Sequence, residues 1–263
     1  MRIKNGLFIC FFSLITISAF PQLLSTEKVN SISWSTERYL GFDSQQNHYS
    51  INNNVIIKRG NNLFEYKNVD LGKITFIDFL NPLQIIVFYK DFNTIVLLDN
   101  QLNEIKRINF NLNQEPIQLE ATGLSAQNQL WFYDGISNKI GLYHIKNNTI
   151  KWISTPLKSG FKNYFSDFTF FYCIDHTNQL FSSSIYGTIN RLGVLPKYDK
   201  IQLLNNSTAL YTYENEIYFY EISKEKSSKI ELAENFVNNF FFKDGILAIF
   251  TQNKITNYKL ILP

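Results

Sequence analysis

One short pattern constrains this chain more than any other: asparagine, a polar residue, then a β-former that opens an aromatic or aliphatic run. It stands at Asn93-Thr94-Ile95-Val96-Leu97, Asn128-Gln129-Leu130-Trp131-Phe132 and Asn138-Lys139-Ile140-Gly141-Leu142-Tyr143. It returns at Asn178-Gln179-Leu180-Phe181, Asn215-Glu216-Ile217-Tyr218-Phe219-Tyr220 and Asn253-Lys254-Ile255-Thr256-Asn257-Tyr258, with a version lacking the spacer at Asn62-Leu63-Phe64-Glu65-Tyr66. Asparagine tolerates the left-handed backbone of tight turns, so each instance reads as a hairpin turn followed by a strand. No helical period competes. Apolar residues either alternate, as in Ile217-Tyr218-Phe219-Tyr220-Glu221-Ile222, or form solid runs, as in Ile85-Ile86-Val87-Phe88-Tyr89. A solid run of this length suits a strand buried on both faces. The 24 Phe and 15 Tyr against 1 Met agree, because flat rings pack well on pleated surfaces.

The strands group into units of roughly 40 residues, at 37–68, 73–110, 117–154, 165–194, 199–232 and 235–262. Each holds three or four short strands. The second is the clearest: Lys73–Phe79, Leu83–Tyr89, Thr94–Leu98 and Glu104–Phe110. Four-strand units at this spacing predict an all-β fold, a single β-propeller of six four-stranded blades, with seven as the other possible count. The last unit lacks a fourth strand, and Val29–Ser35 is a strand without a unit. Pairing the two would close the ring and remove two exposed sheet edges. The propeller domain is therefore expected over 29–263. A pair of β-sandwiches would need a central linker, yet the strand pattern resumes unchanged after Ser154–Asn163.

The N-terminus reads as an address. A basic start (Met1-Arg2-Ile3-Lys4-Asn5), an uncharged apolar stretch from Gly6 to Phe20 and small residues Ser18 and Ala19 have the order of a secretory signal. Residues 1–19 are expected to be that signal, cleaved after Ala19. The rival reading, a retained anchor, needs ~20 apolar residues to span. Cleavage removes Cys10 and leaves Cys173 as the one thiol, which favours a bacterial periplasm or surface over a disulfide-rich secretion route.

Charge and motifs exclude more than they assign. Lys and Arg number 25 against 22 Asp and Glu; without Arg2 and Lys4 the excess falls from three to one. That balance gives no argument for nucleic acid or an anionic membrane surface. His48, His144 and His176 lack ligand spacing, so no metal or other cofactor is expected. His48 and His176 read as surface residues and His144 as packed or capped. No nucleophile elbow, phosphate loop or calcium loop occurs, and no catalytic residue is assigned. Cys173 lies in the apolar run Phe170-Phe171-Tyr172-Cys173-Ile174 and reads as a buried small hydrophobe. Asp43, Asp78, Asp99, Asp134, Asp167, Asp175 and Asp244 sit at strand ends, where aspartate first bonds its own turn. The one candidate interaction patch is Phe161, Lys162, Tyr164 and Phe165, in the segment between two blades.

The stretch Asn81-Pro82-Leu83-Gln84-Ile85-Ile86-Val87-Phe88-Tyr89-Lys90-Asp91-Phe92-Asn93-Thr94-Ile95-Val96-Leu97-Leu98-Asp99 resembles a segment of uncharacterised small exported β-propellers of bacterial envelopes. The resemblance implies the fold and the compartment but no substrate, because propellers host binding, scaffolding and catalysis alike. The expected role is a non-enzymatic protein-interaction or scaffold module in the periplasm or at the outer membrane. Its partner would be another envelope protein, through which it could be membrane-associated. The alternative is a carbohydrate-binding or carbohydrate-active propeller using paired carboxylates at the channel mouth.

Overall fold

The computed structural model describes residues 23–158, 160–234 and 236–263. The expected signal, 1–19, lies outside them. Strand β1 (Thr26–Ser33) is followed by blade 1, formed by β2 (Arg38–Phe42), β3 (His48–Asn52), β4 (Val55–Arg59) and β5 (Leu63–Tyr66). Blade 2 holds β6 (Phe76–Asp78), β7 (Ile85–Tyr89), β8 (Thr94–Leu98) and β9 (Glu104–Asn109). Blade 3 holds β10 (Leu119–Ser125), β11 (Gln129–Asp134), β12 (Lys139–His144) and β13 (Thr149–Trp152). Blade 4 holds β14 (Asn163–Ser166), β15 (Phe170–Ile174), β16 (Gln179–Ser184) and β17 (Ile189–Val194). Blade 5 holds β18 (Lys200–Leu203), β19 (Thr208–Tyr213), β20 (Glu216–Glu221) and β21 (Lys226–Ile230). Blade 6 holds β22 (Asn239–Lys243), β23 (Ile246–Phe250) and β24 (Lys254–Leu260), with β1 as its outer strand. This is a six-bladed β-propeller. The closing strand is the N-terminal one, as the unfilled last unit required. It begins at Thr26, ahead of Val29, and runs antiparallel to β24 with Thr26 opposite Leu260.

The solid apolar runs now have a physical account. Six hydrophobic clusters hold the core, one in each seam between successive blades. In β7, Ile85, Val87 and Tyr89 enter the seam with blade 1, while Ile86 and Phe88 enter the seam with blade 3. Both faces of the strand are dry, so every position is apolar.

The asparagine repeat marks the third strand of every blade. Asn54, Asn93, Asn138, Asn178 and Asn215 each precede it, with φ between 50° and 66° in the left-handed region, and Asn253 precedes β24. Asn54 is blade 1's member; Asn62 precedes a fourth strand and Asn128 a second. Asn93 does more than turn the chain. Its Nδ2 donates to the Ile117 carbonyl (2.6 Å) and to Asn111 Oδ1 (3.0 Å), and its Oδ1 accepts from the Leu119 amide (2.8 Å). It therefore ties blade 2 to the chain entering blade 3. Asn93→Ala is expected to cost about 2–3 kcal/mol, from unpaired buried groups and a strained φ. Asn93→Gly keeps the φ and is expected to cost less. Equal losses in chemical denaturation would contradict this account.

One sequence expectation is corrected here. His48 is buried rather than on the surface: Tyr39 Oη lies 2.9 Å from its Nδ1, and the rings of Trp34, Tyr39 and Phe42 surround it at 5.6–5.9 Å. The turn from Asp43 to Asn47 ends just before it, and the strand that follows carries it into the seam between blades 6 and 1. Burial pushes its pKa down, partly offset by Asp43. His176 is exposed, and His144 caps its own turn, accepting from the Asn147 amide at 3.3 Å.

Candidate interaction face

The strand-end aspartates are committed to their own turns. Asp99 Oδ1 accepts from the Gln101 and Asn103 amides (both 2.8 Å), Asp134 from Ile136 and Ser137, Asp167 from Thr169 and Phe170, and Asp175 from Thr177 and Gln179. Asp43 accepts from the Gln45 and Asn47 amides, from Asn47 Nδ2 and from Tyr49 Oη (2.9 Å). Buried Lys58 lies 3.8 Å from Asp43 Oδ2 and donates to the Asn100 carbonyl at 2.8 Å. Burial raises the Asp43 pKa, and the hydrogen bonds more than offset it, so the net shift is downward. Asp244 holds a left-handed turn position between β22 and β23. Among the described residues, no three metal-ligating side chains cluster.

Asp78 is a buried carboxylate at the end of the first strand of blade 2. Oδ1 accepts from the Leu80 amide and Oδ2 from the Leu124 amide of blade 3, each at 2.8 Å. Burial raises its pKa, against these two amides. Two glycines let side chains cross the hub here. A Cβ on Gly123 would lie 1.9 Å from Ser166 Oγ, and one on Gly41 would lie 2.5 Å from the Phe241 ring. Past Gly41, Phe241 meets Phe79 (5.7 Å), which stacks on Tyr49 (4.6 Å). Past Gly123, Phe76 of blade 2 meets Tyr164 of blade 4 at 5.3 Å.

Of the patch expected from the sequence, Phe161 and Tyr164 stay in contact, ring centroids 5.9 Å apart, while Phe165 faces the next seam. Phe161 is half-buried in the seam between blades 3 and 4, edge-on to Tyr133 at 4.7 Å. Tyr164 stacks on Phe171 at 5.8 Å, and Phe165 packs toward blade 5. Lys162 alone is exposed, bonded to Asn178 and 4.9 Å above the Tyr198 ring.

Antiparallel order places the second-to-third-strand turns and the interblade connections on one face of the disc. Along that face the structure presents apolar tips that isolated sequence segments did not reveal. Val69 (77% exposed) lies in the connection from blade 1 to blade 2, Phe92 in the β7–β8 turn, Leu112 (82%) in the connection to blade 3 and Ile136 (58%) in the β11–β12 turn. Hydrogen bonds tie these loops together. The Lys90 amide donates to Thr75 Oγ1, Asn111 Nδ2 to the Phe92 carbonyl, and the Gly135 amide to the Gln118 carbonyl. The result is an arc of exposed apolar residues across blades 1 to 3, leading toward Phe161.

No family model and no curated protein matches the sequence. Solved structures share the fold. Catalytically inactive virginiamycin B lyase from Staphylococcus aureus matches with TM-score 0.57 and 11% identity, over 88% of this chain and 99% of that one. The propeller domain of Cps50 (Swd1) from Myceliophteria thermophila gives 0.57 and 8%, over 90% and 100%. BamB from Moraxella catarrhalis gives 0.50 and 8%, over 89% and 99%. At these identities the likeness defines the class, a small β-propeller, and nothing finer.

Proposed function

We propose that the chain is a non-enzymatic scaffold of the bacterial cell envelope, exported by residues 1–19 and binding another envelope protein through the arc Val69, Phe92, Leu112 and Ile136. The arc carries the reading: large apolar tips on successive linked loops cost solubility unless something covers them. The rigid ring beneath holds them in fixed geometry, which limits the ordering cost of binding. The near-neutral mature chain supports an apolar contact over an electrostatic one and gives nucleic acid no footing. The strand-end carboxylates, bonded to backbone amides, support the scaffold over a carbohydrate-active propeller.

Capture of a stoichiometric partner from an envelope extract tests the proposal. Phe92→Glu/Leu112→Glu/Ile136→Glu is expected to lose that partner while keeping the wild-type melting curve, since exposed substitutions shift stability by about 0.5 kcal/mol or less each. Turnover of a glycan without any captured partner would overturn it, as would undiminished capture by the triple variant.

A further inference from the structure

A separate feature lies in the seam between blades 3 and 4, where a cavity of about 200 Å³ is lined by Ile140, Leu157, Phe161, Cys173, Phe181 and Ile189. Its origin is legible in the third strands. Five residues after the turn asparagine, the other blades carry Arg59, Leu98, Tyr143, Tyr220 and Tyr258; blade 4 carries Ser183. The register places Ser183 between Phe171 and Ile189, on the sheet face turned to blade 3. A small residue at a seam position filled elsewhere by a large one leaves the seam hollow. Ser183 also lines the cavity, and its buried hydroxyl has no hydrogen-bond partner. A buried hydroxyl without a partner is a net cost, and the other polar residues of the lining are Lys158, Asp175 and Ser182.

The geometry points to a binding site for a small aromatic molecule carrying one hydrogen-bonding group, seated against Phe161 and Phe181 with that group on Ser183. A cavity of about 150 Å³ holds benzene, so this one suits a ring system of about nine or ten non-hydrogen atoms. The Cys173 thiol in its wall is pushed up to about 12, chiefly by burial. It is neutral, so the ligand is held without a covalent bond.

Indole and p-cresol serve as probes, with the purified protein. Saturable binding is expected for at least one, together with about tenfold slower modification of Cys173 by methyl methanethiosulfonate, read on the Cys173 peptide by mass spectrometry, because the ligand covers the thiol. Ser183→Ala is expected to weaken that binding about fivefold, the worth of one hydrogen bond, without lowering the melting temperature. Ile189→Trp, at the half-open rim, is expected to abolish it. No saturable binding of either probe at millimolar concentration overturns the site. So does binding that leaves Cys173 labelling unchanged or survives Ile189→Trp. The envelope partner is not involved in any of these readouts.

Discussion

Trp34→Ala is expected to lower the unfolding free energy by about 3–5 kcal/mol, the range for emptying an aromatic core position. At about 2–4 °C per kcal/mol for a domain of this size, the melting temperature should fall by roughly 10 °C. Trp34 follows β1 directly, its amide bonds the Asn253 carbonyl at 2.9 Å, and its ring packs with Tyr39, Phe42 and Phe250. Arg59 lies 4.5 Å above the ring and His48 5.6 Å from it. The residue thus fills the seam that the closing strand seals. Trp34→Phe keeps an aromatic anchor and is expected to cost roughly 1–2 kcal/mol. A loss below about 1 kcal/mol for the alanine variant in calorimetry would show that this seam does not hold the ring.

Asp43→Ala is expected to cost about 3–5 kcal/mol, because it takes from buried Lys58 its ion-pair partner and leaves only the weaker attraction of Asp99. It also removes the acceptor used by Tyr49, Asn47 and two backbone amides. Asp43→Asn should cost less, since one oxygen still accepts. The pH dependence follows from the two downward shifts in blade 1. Neutral His48 is favoured in the fold, so the unfolded chain takes up its proton first and stability falls as the pH drops below about 6.5. Asp43 contributes stability above the ordinary carboxylate pKa, and that contribution is lost as the pH falls through its lower folded value. Denaturation midpoints from pH 7 to pH 3 should therefore decline in two stages. In His48→Gln the upper stage should be absent, and an unchanged upper stage would assign it to another group.

Much of the ring is written in local pattern. Turn asparagines, solid apolar strands and an unfilled last unit sufficed for six blades and for closure by the N-terminal strand. The turn role of most of the aspartates was legible too, since they bond amides two to four positions away; the reach of Asp78 to Leu124 in the next blade was not. What escaped depends on which seam a side chain enters. His48 sits beside a turn, and nothing local says that the seam beside β1 will cover it. Lys58 reads as a strand lysine until β3 and the turn after β8 bring Asp43 and Asn100 to it. The apolar arc joins loops far apart in sequence. The hollow beside Ser183 was visible in principle, by lining up third strands five residues past each asparagine. Read singly, Leu180-Phe181-Ser182-Ser183 is only another strand.

The pairing of β1 with β24 also dictates an order of events. The first strand of the ring to be synthesised is the last that can be placed, because its partner is the last strand of the ring. Until then β1 and the waiting side of β24 both offer unpaired backbone groups, the template on which one chain captures another. Closing so long a loop before any reward makes for slow maturation. A ring built this way has no safe halfway state, and whatever keeps the nascent chain apart from its siblings matters as much as the packing that finally holds it.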